Sequence, residues 1–200
     1  PDLFLALDSR RQEVVSRDPL ILELRRSDLP RGDEDPSDFL KETEIIQYGH
    51  PDILEAARMI TGDIGPRAQK TRALTFWVFD HLAKRPVVSL SSAVEILEAG
   101  IGDCTEHTTL FTALARAAGI PTKIHLGLVY VQGRFLYHAW PVVFVNDRWV
   151  AVDPTLGQYP ADATHIALLE GDFHNLAQMV PVLGKIQIFV LDQHSGGRSS

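Results

Sequence analysis

One cysteine in 200 residues has no partner within the chain, so no internal disulfide holds this protein together. With no CxxC pair and no Cys/His cluster, zinc-finger architectures are excluded too, and the usage fits a reducing compartment. Long apolar runs are also missing. Leu3 to Leu7 is too short for the hydrophobic stretch of a signal peptide, and nothing approaches the ~20 residues that cross a bilayer. With no membrane segment, the chain is expected to be a soluble domain, cytoplasmic or of the cell envelope. It starts at Pro1 rather than Met, as a piece of a longer polypeptide would. Basic stripes with interleaved aromatics are absent, which argues against nucleic acid as a partner.

What is present is an apolar content of 45%, enough for a sizeable core and one domain with an appendage. The net charge of −7 is unevenly placed: residues 1–57 hold 14 acidic and 7 basic side chains, residues 58–200 hold 12 of each. Residues 3–7 and 20–24 read as short strands. Asp28 to Glu44, with seven acids and two prolines, reads as a solvated linker without the Asp/Asn/Gly spacing of a calcium loop. The expected division is therefore an N-terminal part over 1–49, a main domain over 50–192 and a disordered tail over 193–200.

Helical periodicity covers Pro51 to Ile60, ended by Thr61-Gly62, and Pro66 to Lys84, with Trp77 as a core residue. Ser92 and Glu95 form a capping box for a third helix that Gly100 closes. The lone cysteine opens a fourth. Asp103 suits the N-cap, Glu106 falls at the reciprocal position of a capping box, and Leu110, Phe111, Ala113, Leu114 and Ala117 recur at spacings of three and four. Gly119-Ile120-Pro121 stops this helix. Cys104 thus stands at a helix start, where free N–H groups and the positive end of the dipole favour a thiolate. A lone cysteine is ordinarily a small buried hydrophobe. Here its polar neighbours Asp103, Thr105 and Glu106, and its place at a helix start, point elsewhere.

After Pro121 the period becomes extended. Residues 122–131, 134–145 and 148–153 read as an antiparallel meander turned by Gln132-Gly133 and Asn146-Asp147. Pairing Val145 with Arg148 carries Trp140 opposite Asp153 and sets His138 diagonal to Asp153 on one face. The first turn puts Gly127 opposite His138, where the missing side chain leaves room for another chain element. A thiolate, an imidazole and a carboxylate in this relation make a nucleophile, a base and an orienting group: Cys104, His138 and Asp153. The Cys104 backbone N–H would serve as one oxyanion donor. The chemical rival, a metal site on the same three residues, lacks the supporting His/Cys ligands of zinc.

Gly102-Asp103-Cys104-Thr105-Glu106, Ala115 to Pro121, Tyr137-His138-Ala139-Trp140 and Trp149 to Thr155 together resemble the transglutaminase-like superfamily in its bacterial form, over about residues 50–170. The resemblance implies an α+β, papain-like core, with helices on one side of an antiparallel sheet and Cys104, His138 and Asp153 as the triad. It also implies acyl transfer from glutamine side chains or hydrolysis of amide bonds, on a protein or peptide substrate and with no cofactor. Pro141 departs from the pattern and must sit at an edge, at a bulge or away from a ladder bond.

Further candidates for substrate or supporting roles are Trp140, Gly127, His125, Asp162 and His165, the last two on a loop expected to pack near the triad. Trp140 and Trp149 are expected to wall one side of an open groove, which favours hydrolysis over cross-linking. His107 is expected to face a loop or solvent. A short helix near Asn175 to Val180 and a final strand over Lys185 to Leu191 complete the expectations. The alternative to an enzyme is a non-catalytic binding or scaffold module on the same fold.

Overall fold

The computed structural model describes residues 12–17, 20–24, 34–87, 91–171 and 187–191. Its main sheet has four antiparallel strands in the order β7-β6-β5-β8: β5 (Thr122–Val131), β6 (Arg134–Val145), β7 (Arg148–Ala151) and β8 (His165–Glu170). Both hairpins have the expected two-residue turns. Gln132 and Gly133 take φ values of 51° and 80°, Asn146 and Asp147 53° and 58°, the left-handed pairs that match strand twist. The registers follow: Val145 pairs with Arg148, and Gly127 with His138.

Alternation along these strands builds two cores. On one face, Ile124, Leu126, Ala139, Val143, Val145 and Val150 pack against helices. These are α1 (Pro51–Thr61), α2 (Arg67–His81), α3 (Ala93–Ala99) and α4 (Cys104–Ala117). On the other face, Trp140, Val142, Phe144, Trp149, Ala151 and Ala167 form a second core that Phe39 covers. The result is an α+β fold with the helices on one side of an antiparallel sheet.

Local chemistry accounts for the helix ends. The Ser92–Glu95 capping box opens α3, and Gly100 at φ 63° closes it in the left-handed conformation. Helix α2 stops earlier than its periodicity suggests, because Ala83–Lys84 (β3) leaves it to pair in parallel with Ile101–Gly102 (β4). Pro141 accepts from the Val152 N–H at 3.0 Å. A strand residue's N–H points the same way as its carbonyl, so the missing donor faces the position just past the end of β7 at Ala151.

Three expectations need correction. The acidic stretch is not a free linker in its described part. Pro36–Phe39 forms a 3-10 turn, Phe39 packs edge-on to Trp149 at 5.1 Å, and Glu34 pairs with Lys123 at 2.6 Å. Lys123, buried beneath, also reaches Glu170 at 2.8 Å and lies 4.4 Å from the Trp149 ring centre. Residues 187–191 are not a strand; the fourth strand is β8, whose apolar run lacks a legible period. Trp140 and Trp149 do not wall an open groove, since each is 1% exposed. Residues 3–7 and 175–180 lie outside the described residues.

The N-terminal hairpin, β1 (Gln12–Arg17) with β2 (Leu20–Leu24), is a separate two-stranded sheet that meets β8 at a few side chains. Leu22 and Leu24 pack on Leu128, Ile166 and Leu168. The Gln12 side-chain amide donates to the Ala167 carbonyl and accepts from the Ala167 N–H, both at 2.9 Å.

Candidate active site

Each part of the Gly102–Glu106 segment fixes the next. The Asp103 carboxylate accepts from the Thr105 N–H at 2.9 Å, and Glu106 accepts from the Asp103 N–H at 2.9 Å, so the expected capping box is complete. A side chain on Gly102 would run into Glu106, which explains the glycine. Burial pushes the Glu106 carboxyl up to about 6, against the Asp103 N–H that favours its charged form. Cys104 is thereby held as the first residue of α4, half-buried, in the part of the dipole that favours negative charge.

Thr108, one helical turn on and on the same side as Cys104, donates its hydroxyl to the Ala139 carbonyl at 3.0 Å. That buried bond fastens the Cys104 side of the helix to β6 next to His138. His138 Nε2 lies 2.7 Å from Asp153 Oδ2, which leaves Nδ1 to face the Cys104 sulfur, a hydrogen-bond partner of the ring. Burial acts to lower the basicity of His138. The hydrogen bonds to Asp153 and Cys104 outweigh it and raise the ring to about 9.

Asp153 has no exposed surface, and an isolated buried carboxylate would be very costly. Its oxygens are fully engaged. Oδ1 accepts from the Thr155 N–H at 2.7 Å and the Leu156 N–H at 3.0 Å; Oδ2 takes His138 and, at 3.0 Å, His165 Nε2. Burial opposes ionisation here, but the two imidazoles hold the carboxyl well below the usual range.

The family model of the transglutaminase-like superfamily matches residues 55–154, half of the chain, and the match includes Cys104, His138 and Asp153. The chain belongs to the transglutaminase-like superfamily. A candidate cysteine protease from Cytophaga hutchinsonii superposes on this transglutaminase-like chain with a TM-score of 0.60 at 21% identity, over 74% of this chain and 51% of its own. The periplasmic domain of TgpA from Pseudomonas aeruginosa, bound to ethylmercury, gives a TM-score of 0.51 at 19% identity, over 76% of this chain and 65% of its own. Both likenesses are of fold. The chain spans about half the length of the Cytophaga protein. No curated protein matches it in sequence.

Around this transglutaminase-like centre the other candidates fall in different places. Gly127 faces His138 across the ladder, and a side chain there would strike the Ile166 carbonyl of β8, the close-approaching element its glycine makes room for. Trp140 stacks on His138 with ring centres 6.0 Å apart and planes at 19°, and meets His165 edge-on at 5.0 Å. His125 lies away from Cys104, His138 and Asp153: its Nε2 is 3.2 Å from Glu170, and its ring is edge-on to Trp140. His165 reaches Asp153 directly, and its Nδ1 is 3.4 Å from Asp162.

His107 faces neither solvent nor a loop side chain. It is fully buried, with Nδ1 donating to the Asp103 carbonyl at 2.7 Å and Nε2 without a partner among the described residues. Burial holds its basicity down. The backbone N–H groups of Thr155 and Leu156 did not figure among the expected site groups. The Asp-Pro-Thr sequence, able to form an Asx turn, was the available signal.

A metal would need converging ligands. Cys104 and Asp153 lie on opposite sides of the His138 ring, so these three do not converge. His138, Asp153 and His165 do bring ligand-type atoms within 4.8 Å of one another. Both imidazole nitrogens, however, already stand at hydrogen-bond distance from one oxygen, in a spot closed to solvent. Hydrogen bonding accounts for the cluster.

Proposed function

We propose that this chain is a cysteine-dependent acyl-transfer enzyme that hydrolyses amide bonds of a protein or peptide substrate. The observation that carries the reading is the hydrogen-bonded line from Cys104 through His138 to Asp153, with a half-buried sulfur at one end and a sealed, saturated carboxylate at the other. Cys104 Sγ attacks the amide carbon while His138 holds the thiol proton at Nδ1. The resulting oxyanion is stabilised by the Cys104 backbone N–H at the start of α4. Collapse breaks the C–N bond, and the proton on Nδ1 passes to the leaving amine, giving a thioester. Water then gives a proton to His138 and attacks the thioester carbon. The acid leaves, and the proton returns to the sulfur. Asp153 keeps the His138 ring in one orientation throughout and offsets its positive charge.

Water rather than an amine is the expected acceptor. An amine competes with ~55 M water only where a walled channel excludes solvent. The two tryptophans nearest His138 along β6 and β7, Trp140 and Trp149, are committed to the core and wall no such channel. The test incubates the protein with a peptide pool and seeks an acyl adduct on Cys104 by mass spectrometry. A parallel incubation supplies a glutamine-containing protein with a labelled primary amine. An adduct in the wild type, lost in Cys104→Ala and His138→Ala, is expected. Absence of any adduct would sink the enzyme reading, and amine incorporation outpacing hydrolysis would make the protein a cross-linking enzyme.

A further inference from the structure

We propose that His165, backed by Asp162, is a positioning residue that divides the Asp153 carboxylate between two imidazoles and so limits how tightly His138 holds its proton. The inference rests on the acyl-transfer reading above and assigns a part to a residue outside the Cys104–His138–Asp153 line.

The geometry is specific. A single oxygen, Asp153 Oδ2, accepts from His138 Nε2 at 2.7 Å and from His165 Nε2 at 3.0 Å, while the other oxygen is occupied by two backbone N–H groups. The side chains of His165 and Asp153 are both unexposed. On its far side His165 Nδ1 faces Asp162 Oδ1 at 3.4 Å. That carboxylate is itself held by the Thr164 hydroxyl and N–H and, at its other oxygen, by the Gln158 amide at 2.9 Å. Trp140 touches both imidazoles, stacked on one and edge-on to the other. His165 is also the one polar residue among the buried first four of β8, where packing alone calls for an apolar side chain.

Two donors on one oxygen compete, so each holds the carboxylate less strongly than it would alone. His138 has opposed tasks. It must keep a proton beside the sulfur, then release it to the leaving amine, and a general acid works best when its affinity for the proton lies near the working pH. Burial lowers its basicity, yet Asp153 and Cys104 have already raised it to about 9. An Asp153 bound to His138 alone would raise it further and slow the release. The titratable groups acting on the trio are Cys104 and His107 from α4 and Asp162 from the loop before β8, with Lys84 of β3 acting on His107.

The test follows the His138 ring by NMR in the full chain labelled with 15N-histidine, from pH 5 to 11 and without substrate. In His165→Phe the midpoint for His138 should rise by about half a pH unit or more, because the competing donor is gone. His165→Gln, whose amide can donate to Oδ2, should bring it back toward the wild type. Asp162→Asn, at a side chain 43% exposed, should give a smaller rise in the same direction by loosening the His165 ring. Near-ultraviolet circular dichroism, sensitive to Trp140, reports whether each variant is folded. An unchanged or lowered midpoint in folded His165→Phe overturns the proposal. If that variant does not fold, an unchanged midpoint in Asp162→Asn overturns it instead. No turnover enters this readout, so failure to trap a thioester on Cys104 would count against the enzyme reading alone.

Discussion

Asp153→Asn removes one negative charge at nearly constant volume. The amide oxygen can still accept from the Thr155 and Leu156 N–H groups, so the loop should keep its shape. The amide nitrogen then points its hydrogens at His138 Nε2 and His165 Nε2, both of which are donors in the native arrangement. His138 must give up its Nε2 proton, and the ring presents a single N–H to the sulfur in place of an imidazolium. The native preference for the protonated ring can be sized. A midpoint of about 9 against an ordinary 6.5 corresponds to about 3 kcal/mol, a few-hundredfold preference, of which Asp153 supplies more than Cys104. Because Cys104 is the only cysteine, the mass gain on treatment with iodoacetamide reports on this one sulfur. The wild type should be alkylated readily at pH 6–8. In Asp153→Asn the rate at pH 7 should fall about 100-fold, because the sulfur loses its imidazolium partner. Alkylation at pH 7 as fast as in the wild type would refute the claim that Asp153 sustains the charged pair.

The same pair makes stability depend on pH. His138 is raised, so its contribution is complete below about 6.5 and is lost as pH rises through about 9; Asp153 is lowered, so its contribution is complete above about 4 and fades in acid. Thermal melts should therefore show Tm falling between pH 7 and 9.5, and the fall should be much smaller in His138→Gln. Gly127→Ala sets a methyl against the Ile166 carbonyl and should destabilise by about 1–3 kcal/mol in urea titrations, the cost of overpacking. A wild-type midpoint there would mean that β8 does not lie against β5 as described.

Much of the site was readable because it rests on short-range chemistry. The Cys104 helix start follows from Gly102, Asp103 and Glu106 within five residues. The His138–Asp153 contact follows from one two-residue turn, Asn146-Asp147, which fixes the β6–β7 register, while Gln132-Gly133 separately sets Gly127 opposite His138. What could not be read involves chain segments brought together from a distance. His165 was expected near Asp153 but on a loop; it is instead the first residue of β8, which crosses beside β5 with a shift in register between Leu126 and Gly127 that no local pattern announces. The run Ile166 to Leu169 is apolar on both faces and has neither a strand's nor a helix's period. The acidic stretch misled for a similar reason. Its charge suggested solvation, while the partner that draws Glu34 inward, Lys123, lies 89 positions away.

The Gln12 amide has a bearing on how the main sheet ends at β8. β8 is the last strand of its sheet, and at Ala167 its outward N–H and C=O are both taken by one side chain, which imitates a neighbouring strand for a single residue and then ends the row. Such a stopper satisfies the outward polar groups of that residue without offering a new edge of its own for growth. With Gln12 replaced by alanine, the Ala167 N–H and C=O would both lose their partner, beside Leu128, Ile166 and Leu168, which Leu22 and Leu24 cover. The border of the sheet would then carry one unanswered donor and acceptor two residues from His165.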